Sequence, residues 1–166
     1  MPNDILGVKL EGGEQLLKDL RAAGGNVRKS LRAASKAGGE VIRQAADDAA
    51  PPTRYKKRVL AKASFPKKDV CEVTIKLSKK AWYLKFFETG ATSHEIASAR
   101  GALAFEGEVG LIVTKSVQHP GMPASPFMRP AFDEKGPEAE QKLGEVLRQA
   151  VVDARIAQAA AEESGD

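Results

Sequence analysis

Apolar residues recur at steps of three and four over two early stretches. Leu16, Leu17 and Leu20 do so over residues 13–23. Val27, Leu31, Ala34, Gly38, Val41, Ile42, Ala45 and Ala49 do so over 26–49. This spacing puts them on one face of a helix in each case. Gly24-Gly25 separates the two helices, Asn26 can cap the second, and Pro51-Pro52 stops it. The polar side of the second helix carries Arg28, Lys29, Arg32, Lys36 and Arg43. Its mid-helix pair Gly38-Gly39 costs about 1 kcal/mol per glycine relative to alanine. Either a kink or a close approach to a sheet would explain the pair.

From Val70 to Leu77 the period changes to two, with Cys71, Val73, Ile75 and Leu77 alternating with Glu72, Thr74 and Lys76. That is the signature of a half-buried strand, with Cys71 as a core thiol. Residues 81–88 hold Trp82, Tyr83, Leu84, Phe86 and Phe87, and their spacing fits a strand or a short helix. Residues 91–118 read as short strands punctuated by Gly101, Gly107 and Gly110, with a hairpin around Glu106-Gly107-Glu108. Leu143, Val146, Leu147, Ala150, Val151 and Ala154 predict a last helix near 137–157, reset at Gly136-Pro137. Ile5, Val8 and Leu10 suggest a short edge strand at the start. The expected architecture is one α+β domain over residues 1–157, a mostly antiparallel sheet over 55–118 packed against a long N-terminal helix and a C-terminal helix. Residues 158–166, rich in alanine and glutamate, are expected to be a flexible tail.

Strand-like and helical patterns meet at residues 119–132, which hold four of the nine prolines. Proline fixes φ and removes a donor, so this stretch is a rigid corner. Ser125 is placed to cap the last helix, with Pro126 at its first position. Phe127, Met128 and Phe132 are large apolar groups on this stiff backbone. They either plug the core or present a preset contact surface.

Composition narrows the chemistry. The 166 residues are 42% hydrophobic and only 5% aromatic, with a net charge of +4. A single cysteine excludes an intrachain disulfide. No run of about eighteen apolar residues exists to span a membrane, and the first residues lack the layout of a signal peptide, which points to synthesis in the cytoplasm. The cations Arg54, Lys56, Lys57, Arg58, Lys62, Lys67 and Lys68 crowd between the second helix and the strand. They read as a solvated loop and edge strand, or as a mobile basic arm facing DNA or an acidic neighbour. No nucleophile elbow, P-loop or dinucleotide fingerprint is present. His94 and His119 are the only histidines. A site from them with Cys71 and Glu88 would make a small hydrolase, but no catalytic residue, metal ligand or cofactor is expected.

Two stretches carry a resemblance. The first is Trp82-Tyr83-Leu84-Lys85-Phe86-Phe87-Glu88-Thr89-Gly90. The second is His119-Pro120-Gly121 followed by Pro126-Phe127-Met128-Arg129-Pro130-Ala131-Phe132, leading into a terminal helix. Together with the long basic helix ending at a proline, they resemble the tail-component family of lambdoid, Hong Kong-type tailed bacteriophages, which includes neck and tail-completion proteins. The likeness spans about residues 8–155. The chain departs from it after Pro52-Thr53, where Arg54-Tyr55-Lys56-Lys57 stands in place of the family's Thr-Gly pair with its following Leu and Ser.

The resemblance implies a non-enzymatic virion protein forming a closed ring, with a hexamer expected, at the head–tail junction. Its neighbours would be an adjacent neck or head-completion ring and tail tube proteins. DNA would pass through the channel without sequence-specific binding. Assembly would take place in the host cytoplasm. Implied interface residues are Glu88, Thr89, Gly90, His119, Pro120, Gly121, Pro126, Phe127, Arg129 and Pro130. The alternative is a basic DNA-binding accessory protein using residues 54–68.

Overall fold

The computed structural model describes residues 13–164, apart from 56, 68, 100 and 109. The fold is α+β, and the chain forms two compact units. One comprises the residues up to Trp82 together with those from Phe127 onward; the other is Tyr83–Pro126. The edge strand expected from Ile5, Val8 and Leu10 lies outside the described residues.

The first unit is built around a central helix. α1 (Gly13–Ala22) leads through Gly24, at φ 70°, to α2 (Val27–Ala49). Asn26 caps α2 by accepting the Lys29 N–H at 3.0 Å. β1 (Val59–Lys67) and β2 (Val70–Leu77) form an antiparallel ribbon with Val59 opposite Leu77 and Ala63 opposite Val73. Burial alternates along both strands, as the period of two requires. The last helix, α4 (Met128–Glu163), packs on α2. Leu31, Ala34 and Leu147 form a buried cluster with Leu16, Val27, Phe65, Cys71 and Leu143 against it, so Cys71 is a core thiol.

The two central glycines of α2 mark close approaches on two sides. A Cβ on Gly38 would lie 2.7 Å from the carbonyl oxygen of Ala139 in α4. One on Gly39 would lie 2.5 Å from Cγ1 of Val73 in β2. Adjacent helical residues point about 100° apart, so one glycine admits the neighbouring helix and the other admits the ribbon. The mid-helix pair is thus explained by packing, and α2 runs through it as one helix.

α4 differs from expectation at both ends. Helix was predicted from about residue 137, but it begins at Met128, with Phe127 rather than Ser125 in the capping position. Pro130 falls within the first turn, where its missing N–H has no helical partner to lose. Pro137 lies inside the helix. Gly136 precedes it, and without a Cβ it removes part of the clash that normally pushes a pre-proline residue out of the helical region. Residues 158–163, expected as tail, continue the helix with exposed side chains.

A 3₁₀ turn (Lys79–Leu84) followed by α3 (Lys85–Thr89) settles the aromatic stretch as helical. Gly90, at φ 71°, ends it. The rest of the second unit is a two-stranded arm. β3 (His94–Ala97) pairs with β6 (Ser116–His119), and within that pair β4 (Leu103–Gly107) pairs with β5 (Gly110–Thr114). Among the described residues, the sheet expected over 55–118 is therefore three antiparallel ribbons of two strands each.

Candidate functional site

The second unit joins the end of the first signature to the start of the second. Ala91 and Met122 exchange both backbone hydrogen bonds at 2.8 Å, and the Ser125 N–H donates to the Phe87 carbonyl at 2.7 Å. The approach is close because two glycines lie in it. A Cβ on Gly121, at φ 87°, would fall 2.4 Å from the Ala91 oxygen, and one on Gly90 would fall 2.9 Å from the Met122 oxygen. Both have backbone conformations that L side chains rarely adopt. The Thr89 hydroxyl donates to the Lys85 carbonyl at 2.9 Å, fastening the end of α3. Glu88 is half-buried, and Thr89, Pro120 and Pro126 are exposed.

The histidines meet at the base of the arm. His94 and His119 are directly opposed across β3 and β6, with ring centroids 5.1 Å apart and nearly stacked. The Thr92 carbonyl lies 2.9 Å from His94 Nδ1, which as donor carries the proton. His119 Nδ1 accepts the Gly121 N–H at 3.1 Å and is therefore unprotonated. These bonds orient two exposed rings around the turn at Pro120-Gly121. Among the described residues no group of three His, Cys, Asp or Glu is arranged to hold a metal ion. Cys71 packs against the buried cluster of the first unit.

The corner residues divide by burial. Phe127 is only 4% exposed, so it fills the core and is not available as a surface anchor. Arg129 and Pro130 are exposed in the first turn of α4. The expected interface set thus divides into seven residues of the second unit (Glu88, Thr89, Gly90, His119, Pro120, Gly121, Pro126), two exposed positions of the first (Arg129, Pro130) and the buried Phe127.

The predicted basic arm is largely a strand. Residues 59–67 are β1, fully paired to β2 up to an irregularity near its end. Arg58 turns inward. Its Nη1 donates to the carbonyls of Ala50 at 3.0 Å and Pro51 at 3.2 Å, Nη2 donates to the Asp47 carbonyl, and Nε lies 3.4 Å from Asp47 Oδ1. The same carboxylate accepts the N–H groups of Arg58 and Val59. Arg58 thereby satisfies carbonyls that the end of α2 leaves without helical partners, and it ties that end to β1. It clamps the end of α2 to β1 and is turned away from the surface. Arg54 lies over the Tyr55 ring at 5.0 Å and donates to its hydroxyl. Lys57, Lys62 and Lys67 are exposed, while Lys56 and Lys68 lie outside the described residues.

One surface was not singled out from sequence. At the end of the arm Leu111 is 73% and Val113 62% exposed, and Phe105 and Ile112 are also exposed. Directly opposed residues share a face of an antiparallel pair. Phe105 with Ile112 therefore makes one apolar face, and Ala104 with Val113, beside Glu106 with Leu111, makes the other. The apolar run 111–113 lacks alternation, a pattern that belongs to strands covered on both faces. Among the described residues no helix is long and apolar enough to cross a membrane. The chain matches no family model, no curated protein and no solved structure in the comparisons made.

Proposed function

We propose that the chain is a structural, non-enzymatic protein of a tailed-phage virion. Copies of it associate head-to-tail into a closed ring at the head–tail junction, a hexamer in the simplest form. The ring joins the tail to the neighbouring head-completion ring and tail tube around the DNA channel. The observation that carries the association is the two-faced apolar arm. A two-stranded ribbon is marginally stable alone in water. Fully covering a Leu, Val, Ile or Phe side chain contributes roughly 1.5–3 kcal/mol, so four such side chains left exposed mark a surface that is covered in the working state. Neither edge of the β4–β5 ribbon pairs with a further described strand, and open ladder groups favour addition of another chain. An apolar arm that enters a different surface of the next copy makes a heterologous contact, the type that closes into rings. The assignment to a phage neck or tail-completion component rests on the signatures at 82–90 and 119–132.

The test is mass by light scattering, with negative-stain images, of the full chain and of Leu111→Lys/Val113→Lys. The ring reading expects closed rings from the first and folded monomers from the second. A wild-type chain that stays monomeric at high concentration, together with a double variant that still supports infectious particles, would reject it.

A further inference from the structure

With Arg58 turned inward, a second cluster of cations stands beside the basic arm. Between Val27 and Gly39, α2 carries Arg28, Lys29, Arg32 and Lys36 and no carboxylate. All four are exposed. Five other cations are neutralised: Arg21 by Asp69, Arg43 by Glu40 and Asp47, Arg58 by Asp47, Lys135 by Glu138 and Lys142 by Glu145. Among the described residues none of the four on α2 has an ion-pair partner; Arg28 and Arg32 are set instead over the ring of Phe65, at 4.6 and 5.2 Å.

This arrangement works against the stability of the helix. Arg28 and Lys29 occupy its first turn, where the helix dipole disfavours cations. Arg28 with Arg32, and Arg32 with Lys36, are like charges four residues apart, which repel. A partner that supplies negative charge would remove both penalties. Stacking on Phe65 holds two guanidinium groups while using their faces, so it spends none of their N–H donors. Arg28, Arg32 and Lys36 rise along the helix in steps of about 6 Å, a line of charge suited to a repeating polyanion. Apart from the already covered Phe65, the flank offers only Ser30 and Ala33 between the cations, too little apolar surface to anchor a peptide. It also holds no Asn or Gln to read adenine edges, and its two arginines are set over Phe65.

From this we infer that the exposed flank of α2 carrying Arg28, Lys29, Arg32 and Lys36 binds the phosphate backbone of nucleic acid without reading its sequence. The surface lies within one chain and holds whether or not the protein forms rings.

The experiment measures anisotropy of a fluorescein-labelled random-sequence DNA duplex with the full chain over a salt series. A Leu111→Ser/Val113→Ser background, which adds no charge, repeats it, to separate binding from self-association. Four phosphate contacts give a slope of log K against log salt of about −3.6, so affinity falls about a hundredfold between 50 and 200 mM salt. Lys29→Gln/Lys36→Gln, which disturbs no described contact, should reduce the slope by about 2. Lys57→Gln/Lys62→Gln/Lys67→Gln should leave it nearly unchanged. Absence of binding at low salt, an unchanged slope in Lys29→Gln/Lys36→Gln, or an equal loss in the β1-side variant would overturn the inference. Tighter binding of polyglutamate than of DNA at matched charge would also overturn it, in favour of an acidic polypeptide.

Discussion

Replacing Gly38 by alanine sets two effects of opposite sign against each other. In an isolated helix the change is favourable by about 1 kcal/mol, because alanine loses less backbone entropy. In this chain the new Cβ would stand 2.7 Å from the Ala139 oxygen and 3.3 Å from Leu143 Cβ. The nearer atom belongs to the backbone of α4, so no side-chain rotation relieves the clash, and the helices must separate. Overpacking costs about 1–3 kcal/mol, and a backbone obstacle places this site in the upper half of that range. The net expectation is a loss of about 1–2 kcal/mol, equivalent to a fall in Tm of about 2–8 °C for a chain of this size. Urea unfolding followed by circular dichroism measures it, and Ala33→Gly, at an exposed position of the same helix, calibrates the propensity term at about 1 kcal/mol. A Gly38→Ala protein that is more stable than wild type would refute the α2–α4 contact. Gly39→Ala supplies an internal contrast. Its obstacle is the Val73 side chain at 2.5 Å, so adding Val73→Ala should recover part of the loss, a recovery that trimming Leu143 should not give Gly38→Ala.

Three further substitutions probe the remaining supports. Asp47→Ala removes the acceptor for two backbone N–H groups and the partner of Arg58, and should lower unfolding free energy by about 2–4 kcal/mol, as expected for charge-assisted bonds away from solvent. A loss below 0.5 kcal/mol in denaturant titration would show that the clamp is idle. Gly121→Ala combines a strained φ with a clash against the Ala91 oxygen; hydrogen exchange at Ala91 and Met122 should rise at least tenfold while α2 stays protected, and unchanged exchange there would contradict the described turn. Phe127→Ala should destabilise the chain by about 3–5 kcal/mol, the range for emptying a buried aromatic site, whereas near-wild-type stability would return Phe127 to the surface.

The sequence by itself determined α1, α2, the body of α4 and the strand β2. Steps of three and four along α2 and α4, and the period of two along Val70–Leu77, report which face of each element is buried, and a local period survives whatever the element packs against. The lone cysteine was placed in the core for the same reason. Only the tertiary structure decided where partners meet. Charge alone put Arg58 with its basic neighbours, but Asp47, eleven residues earlier, and the open carbonyls of α2 turn it inward. Gly38 and Gly39 are two identical letters, yet one faces α4 and the other β2, a difference that exists only once both neighbours are in place. The corner prolines implied a helix start near Ser125, but Ser125 gives its N–H to Phe87, and the cap moves to Phe127. The exposure of Leu111 and Val113 was hidden for the converse reason: a strand apolar on both faces reads as interior, and it takes the absence of a third described strand to show that these faces are open.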